Sequence, residues 1–132
     1  MAKKEEINLD TRGQITVDLG GASYVLRPSY EAIIECERET GLSLYDLAGL
    51  ASNCRMSLEH MGVVTAAMMR AHAKANPDDP KKTQYLGAKA EKLSSLIYEA
   101  SGPKVMGRLT VLLVGALTGG YDASGEVKAA TS

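Results

Sequence analysis

Residues 13–41, GQITVDLGGASYVLRPSYEAIIECERETG, carry the clearest structural pattern in the chain. Apolar and polar residues alternate in 15–19 and again in 22–26, which is the period of a half-buried β-strand. The glycine pair 20–21 separates the two runs, and glycines favour the two-residue turns of hairpins because these turns need positive φ angles. The stretch therefore predicts a β-hairpin, followed by an amphipathic helix.

The length of the turn fixes the register of the predicted hairpin. A two-residue loop pairs residues whose numbers sum to 41. The predicted pairs are Leu19 with Ala22, Val17 with Tyr24, and Ile15 with Leu26. All of these pairs lie on one apolar face, so the hairpin needs a helix to cover it.

Helical periodicity dominates the rest of the chain. We expect five helices, at about residues 30–40, 44–52, 58–74, 83–100 and 103–118. The predicted fold class is α+β, with the N-terminal β-hairpin packed on a mostly helical domain. The predicted organisation is a flexible N-terminus at 1–12, a single domain at 13–118 and a flexible C-terminal tail at 119–132.

Composition and charge limit the class of protein. A chain of 132 residues with 45% hydrophobic residues predicts one globular domain. The net charge of −1 lacks the basic excess that is typical of proteins that bind nucleic acid. The most apolar run, residues 109–117, is too short to span a bilayer, and the N-terminus has no apolar signal-peptide core. We therefore expect a soluble, cytoplasmic protein that binds neither membranes nor nucleic acid.

Four features invite a chemical interpretation. The glycine pair precedes a strand, whereas phosphate-binding glycine loops precede a helix. The glutamates within residues 31–39 lack the Glu-x-x-His pairs of helical metal sites. His60 and His72 are not spaced as a ligand pair, and Cys36 lies in no nucleophile signature. We favour structural roles for all of them and expect no catalytic residue, no metal and no cofactor.

Methionines concentrate around the third predicted helix, and the fifth predicted helix is apolar nearly all round. Core filling is the favoured interpretation of the methionines, and a surface that accepts a partner is the alternative. A small domain has limited capacity to bury the fifth helix, which favours an oligomer or a client-binding surface. The candidate partner-binding residues are Met61, Met68, Met69, Val111, Leu112 and Leu113.

The opening stretch resembles the tail assembly chaperones of long-tailed phages, in particular the group found in gene transfer agents and prophages. Residues 13–21 match the strand and turn pattern G-x-[IV]-x-[VL]-x-[LI]-G-G of that group. Residues 24–33 match Y-x-L-R-P-[ST]-[YF]-x-A-I, and residues 37–44 match E-x-x-x-G-x-S-L. The similarity is strong over about residues 13–44, and the region from residue 76 onward is less similar to the family.

The resemblance implies a non-enzymatic function in virion assembly. Members of this family bind the long, helical tape measure protein, keep it soluble and recruit tail tube subunits. A homo-oligomer would present several client-binding faces together, so that weak contacts add up. One alternative is a structural, tube-associated component of the phage tail. A second is a small regulatory or nucleic-acid-binding helical module, whose basic residues would be Lys82, Lys89 and Lys92.

Overall fold

The computed structural model describes residues 14–128 as a two-stranded antiparallel hairpin followed by helices. The strands are β1 (Ile15–Leu19) and β2 (Ala22–Leu26). The helices are α1 (Tyr30–Thr40), α2 (Leu44–Ser52), α3 (Leu58–Ala75), α4 (Lys82–Leu86), α5 (Ala90–Glu99) and α6 (Gly102–Leu117). The predicted α+β class with a mostly helical domain is confirmed. The flexible segment predicted at 1–12 lies outside the described residues.

The hairpin has the predicted register at every pair of its two strands. Its turn residues Gly20 and Gly21 have φ angles of 58° and 82°, as a turn of this hand requires. Val17, Leu19 and Leu26 are buried on the face that α3 and α6 cover. The sequence prediction of a one-sided apolar hairpin is therefore confirmed.

Local capping fixes the start of the first three helices. Each N-cap serine accepts a hydrogen bond from the backbone N–H three residues later. The pairs are Ser29 with Ala32, Ser43 with Asp46, and Ser57 with His60. At the other end of α1, Gly41 has a φ angle of 73° and donates its N–H to the carbonyl of Glu37, which is the left-handed C-terminal cap expected there.

The single helix predicted at 83–100 is wrong, because the chain breaks between α4 and α5. Gly87 follows the last residue of α4, and glycine is a poor helix former. The carbonyl of buried Ala88 then accepts a hydrogen bond from the guanidinium of Arg70 on α3. This tertiary bond gives a hydrogen-bond donor to a backbone carbonyl in the break. The helical periodicity of apolar residues continues through the break, although the helix itself is interrupted there.

The central element of the core is α3, which packs against α1, α4, α5 and β2. Its crossing with α5 is close because Gly62 has no side chain: a Cβ atom there would lie 2.4 Å from the carbonyl oxygen of Ala90. The second long apolar helix, α6, packs mainly on α2. Residues from all these elements form one buried cluster.

The residues after α6 form a tight turn that contacts the end of the hairpin. Tyr121 and Val127 form a β-bridge around a tight turn, in which Asp122 Oδ1 accepts hydrogen bonds from the N–H groups of Ser124 and Glu126, both at 3.0 Å. The buried Arg27 donates from Nε to the carbonyl of Ser124 at 2.6 Å. Residues 120–127 of the segment predicted as a flexible tail therefore have defined contacts, and residues 129–132 lie outside the described part.

Candidate protein-binding surface

The methionines proposed for partner binding lie inside the molecule. Met61, Met68 and Met69 are all buried, with exposed fractions of 3% or less. They fill the space that α3 shares with its neighbours, which is the core role that flexible thioethers suit. The structure thus places these three methionines in the core and not on an exposed face of this helix.

The candidates on α6 divide between core and surface. Leu112 and Leu113 are buried, whereas Val111 has an exposed fraction of 54%. Most of the apolar surface of α6 is buried by packing against α2, β1, α3 and α5. Of the proposed partner-binding residues, Val111 is thus the one whose side chain is available to another protein.

The glutamates of α1 have structural partners. Glu35 forms an ion pair with Arg70 across the α1–α3 interface, where both side chains are about three-quarters covered. Glu37 accepts the N–H of Leu44 at 2.9 Å and so caps the start of α2. Among residues 14–128, no group of three or more His, Cys, Asp and Glu side chains is arranged to hold a metal ion.

Cys36 and His72 are also enclosed. Burial raises the pKa of the Cys36 thiol to about 12, with Glu35 adding to the shift, so at neutral pH the side chain is a thiol and a weak nucleophile. His72 lies against the ring of Tyr85 and bonds to Asp79 through Nε2 at 2.9 Å. Both side chains therefore have packing roles.

An open groove of about 360 Å³ runs between α1 and α3. Its α3 side presents Ala67, Ala71 and Ala75, which recur every four residues and therefore share one helix face. Alanine side chains leave the groove shallow, so an apolar side chain of a partner can approach the helix backbones closely. At one end stands Tyr30, with an exposed fraction of 64%.

Charges of opposite sign border this groove. Exposed Glu31 lies on the α1 side and exposed Lys74 on the α3 side, while Glu35 and Arg70 are already paired with each other across the groove. A helix with a narrow apolar stripe between charged flanks has the complementary chemistry, because its flanking residues can pair with both rims. The C-terminal turn closes the end of the groove with Ala123, whose carbonyl accepts the N–H of Tyr30 at 2.9 Å.

Little in the amino-acid sequence indicates this groove. The alanines at i, i+4 and i+8 are visible in the sequence, and they could have marked a close or shallow helix face. Placing Glu35 beside Arg70, however, requires knowing how α1 and α3 cross.

None of the helices described between residues 14 and 128 is long and apolar enough to cross a membrane.

Comparison with known proteins adds no family to this description: no family model, curated protein or solved structure matches the chain.

Proposed function

We propose that this protein is a tail assembly chaperone of a long-tailed phage, prophage or gene transfer agent. It binds the tape measure protein in the cytoplasm of the bacterial host and recruits tail tube subunits to it. The observation on which the proposal rests is the resemblance of residues 13–44 to that family, which includes the strand, turn, R-P-[ST] and helix patterns. The proposed role is non-enzymatic and depends on protein–protein contacts.

We place the client contact in the α1–α3 groove rather than on the methionines of α3. Support comes from the exposed Tyr30 at its end, its alanine floor and its two oppositely charged rims. A long helical client offers many stripes of apolar residues between charges, so one shallow groove can bind it at several places. Such contacts are individually weak, and self-association of the chaperone would add them together.

Co-expression with a tape measure protein of the same phage or prophage tests the function. We expect the tape measure protein to be mostly soluble with the chaperone and mostly insoluble without it, and the two to co-purify. Equal solubility in both cases contradicts the chaperone function. Mass spectrometry of finished particles separates this role from a structural one, because a chaperone is expected to be absent from them.

A matched pair of variants tests the surface. Tyr30→Ala removes an exposed ring beside the groove, and Tyr98→Ala removes one with a similar exposed fraction, 75%, on α5. We expect at least a tenfold loss of client affinity for the first variant and no change for the second; tenfold corresponds to about 1.4 kcal/mol. Equal client affinities of the two variants would show that the client contact lies outside the groove, and would not contradict the proposed chaperone function.

A further inference from the structure

The α1–α3 groove lies between two helices that run in opposite directions. The start of α1, at Tyr30 and Glu31, and the end of α3, at Lys74 and Ala75, line the same part of it. The partial charges at the start and the end of a helix have opposite signs, so their effects on a bound helix largely cancel there. The direction in which a helix lies in the groove therefore depends mainly on the side chains of the two rims.

Three charged side chains of this groove already have partners within the domain. Glu35 and Arg70 form an ion pair across it. Arg27, at one end of the groove, donates to the carbonyl of Ser124 and lies 3.5 Å from Glu126. A partner protein would have to break these contacts in order to bind the same groups, so they act as parts of the groove wall.

Glu31 and Lys74 are the exposed charges among the described residues that line the groove. Glu31 precedes Glu35 by one turn of α1, and Lys74 follows Arg70 by one turn of α3. The two exposed charges therefore lie one turn beyond the Glu35–Arg70 ion pair, on opposite rims. Because a carboxylate borders one side of the groove and an ammonium group the other, the two rims are not equivalent to a partner.

We propose that Glu31 and Lys74 select the direction in which a client helix binds. The occupant is a helix with a narrow apolar stripe, cationic residues along one flank of the stripe and anionic residues along the other. In one direction its cations face Glu31 and its anions face Lys74. Turning the helix end to end exchanges its flanks and places like charges together on both rims. This selectivity rests on the proposed function, in which the groove is the site of client contact.

The size of the preference follows from the exposure of the two rims. Exposed ion pairs are individually weak because water screens them. Reversal of the client helix, however, replaces attraction by repulsion at both rims, and the two effects act in the same sense. We expect the favoured direction to bind about fivefold more tightly at low salt. The preference should disappear in about 1 M salt, where the screening length is about 3 Å.

Two synthetic helical peptides of about 20 residues test the direction of binding. Both carry the same stripe of leucine and alanine. One has lysines along the first flank and glutamates along the second, and the other has these charges exchanged. A nitroxide at the peptide N-terminus broadens the nuclear magnetic resonance signals of nearby amides in the full chain. We expect one peptide to broaden Tyr30 and Ala123, at the start of α1, and the other to broaden Thr40, at its end.

A double charge exchange in the protein assigns the selectivity to the two rims. Glu31→Lys with Lys74→Glu leaves the net charge unchanged, and we expect each peptide to bind in the direction opposite to that in the parent protein. The matched control is Glu59→Lys with Lys92→Glu, at exposed residues outside the groove lining, and it should keep the parent directions. Glu59, like Glu31, lies in the first turn of its helix, so both variants lose the same interaction with a helix start.

Several results would overturn the selectivity. With the parent protein, these are no binding of either peptide, the same direction for both peptides, and equal broadening at both ends of α1. With the variants, they are directions that stay unchanged after the exchange at Glu31 and Lys74. Groove signals that shift with protein concentration in the absence of peptide also overturn it, because a second copy of the chain would then occupy the groove.

Failure of the selectivity can be told apart from failure of the proposed function. The solubility of the tape measure protein in co-expression reports on the function, whereas the direction of peptide binding reports on the rims. A soluble tape measure protein together with peptides that bind without a preferred direction rejects the selectivity alone. Direction-selective peptide binding together with an insoluble tape measure protein rejects the chaperone function alone.

Discussion

At the scale of single residues, the buried side chain of His72 is positioned by polar groups that follow its helix. Its Nε2 forms a hydrogen bond with Asp79 in the loop that follows α3. The amide of Asn76 lies 3.2 Å from Nδ1, so both ring nitrogens are satisfied. The hydrogen bond from His72, followed by that from the backbone N–H of Lys81, holds the pKa of Asp79 below its usual value.

This lowered pKa predicts a pH-dependent contribution to stability. A carboxyl group whose pKa is depressed on folding stabilises the protein above its unfolded pKa, about 3.9, and loses that contribution as the pH falls through the folded value. We expect Asp79→Asn to lower the free energy of unfolding by about 1 kcal/mol at pH 7, since the bond is partly screened. The difference from the parent protein should shrink as the pH falls below about 4.

Urea titrations between pH 2 and 7 provide the measurement. Asp78→Asn is the control, because it removes the same charge from a neighbouring, exposed carboxylate. Its free energy of unfolding should follow that of the parent protein more closely. A difference for Asp79→Asn that is constant with pH would contradict the assigned cause.

At the scale of elements, the contact between α3 and α5 depends on one glycine. A Cβ atom at Gly62 would lie 2.2 Å from Ser94 Oγ and 2.4 Å from the carbonyl oxygen of Ala90. Ser94 itself bridges the two helices by donating to the carbonyl of Leu58 at 3.0 Å. The helices are thus close enough for side chain and backbone to bond directly, and there is no room for a methyl group.

Gly62→Ala should therefore destabilise the protein even though alanine is the better helix former. We expect a loss of about 1–3 kcal/mol, as in other overpacked interiors. Gly107→Ala in α6 is the control, because no atom lies within 4 Å of the added methyl group, and it should gain up to about 1 kcal/mol of helix propensity. Thermal unfolding compares the two, and a stabilised Gly62→Ala variant would show that the helices can separate without cost.

At the scale of the whole molecule, the C-terminal turn attaches to the end of the hairpin. Arg27 follows β2, is 9% exposed, and bonds to Ser124 across a separation of 97 residues. Gly125 packs so closely there that a Cβ atom would lie 2.9 Å from the N atom of Ser29. The start of α1 is thereby held between the hairpin and the last described residues, which also sets one end of the α1–α3 groove.

Substitution of this glycine should loosen the turn and the groove together. Gly125→Ala combines the strain of an alanine at positive φ, about 1–2 kcal/mol, with a backbone clash. Gly119→Ala at φ 78° has the same strain but no atom within 4 Å. We expect only the former to increase proteolytic cleavage within 119–128 and to weaken client binding. Equal cleavage of both variants would mean that strain alone accounts for the effect.

Features with local causes could be predicted from the order of the residues alone. The hairpin register follows from a two-residue glycine turn and an alternation of period two, and the serine caps act within three residues. Tertiary structure decided what depends on distant partners: the break before α5, the burial of Met68 and Leu112, and the C-terminal turn on Arg27. An apolar helix face looks the same in sequence whether it meets the core or a partner, because periodicity records which residues share a face and not what covers that face.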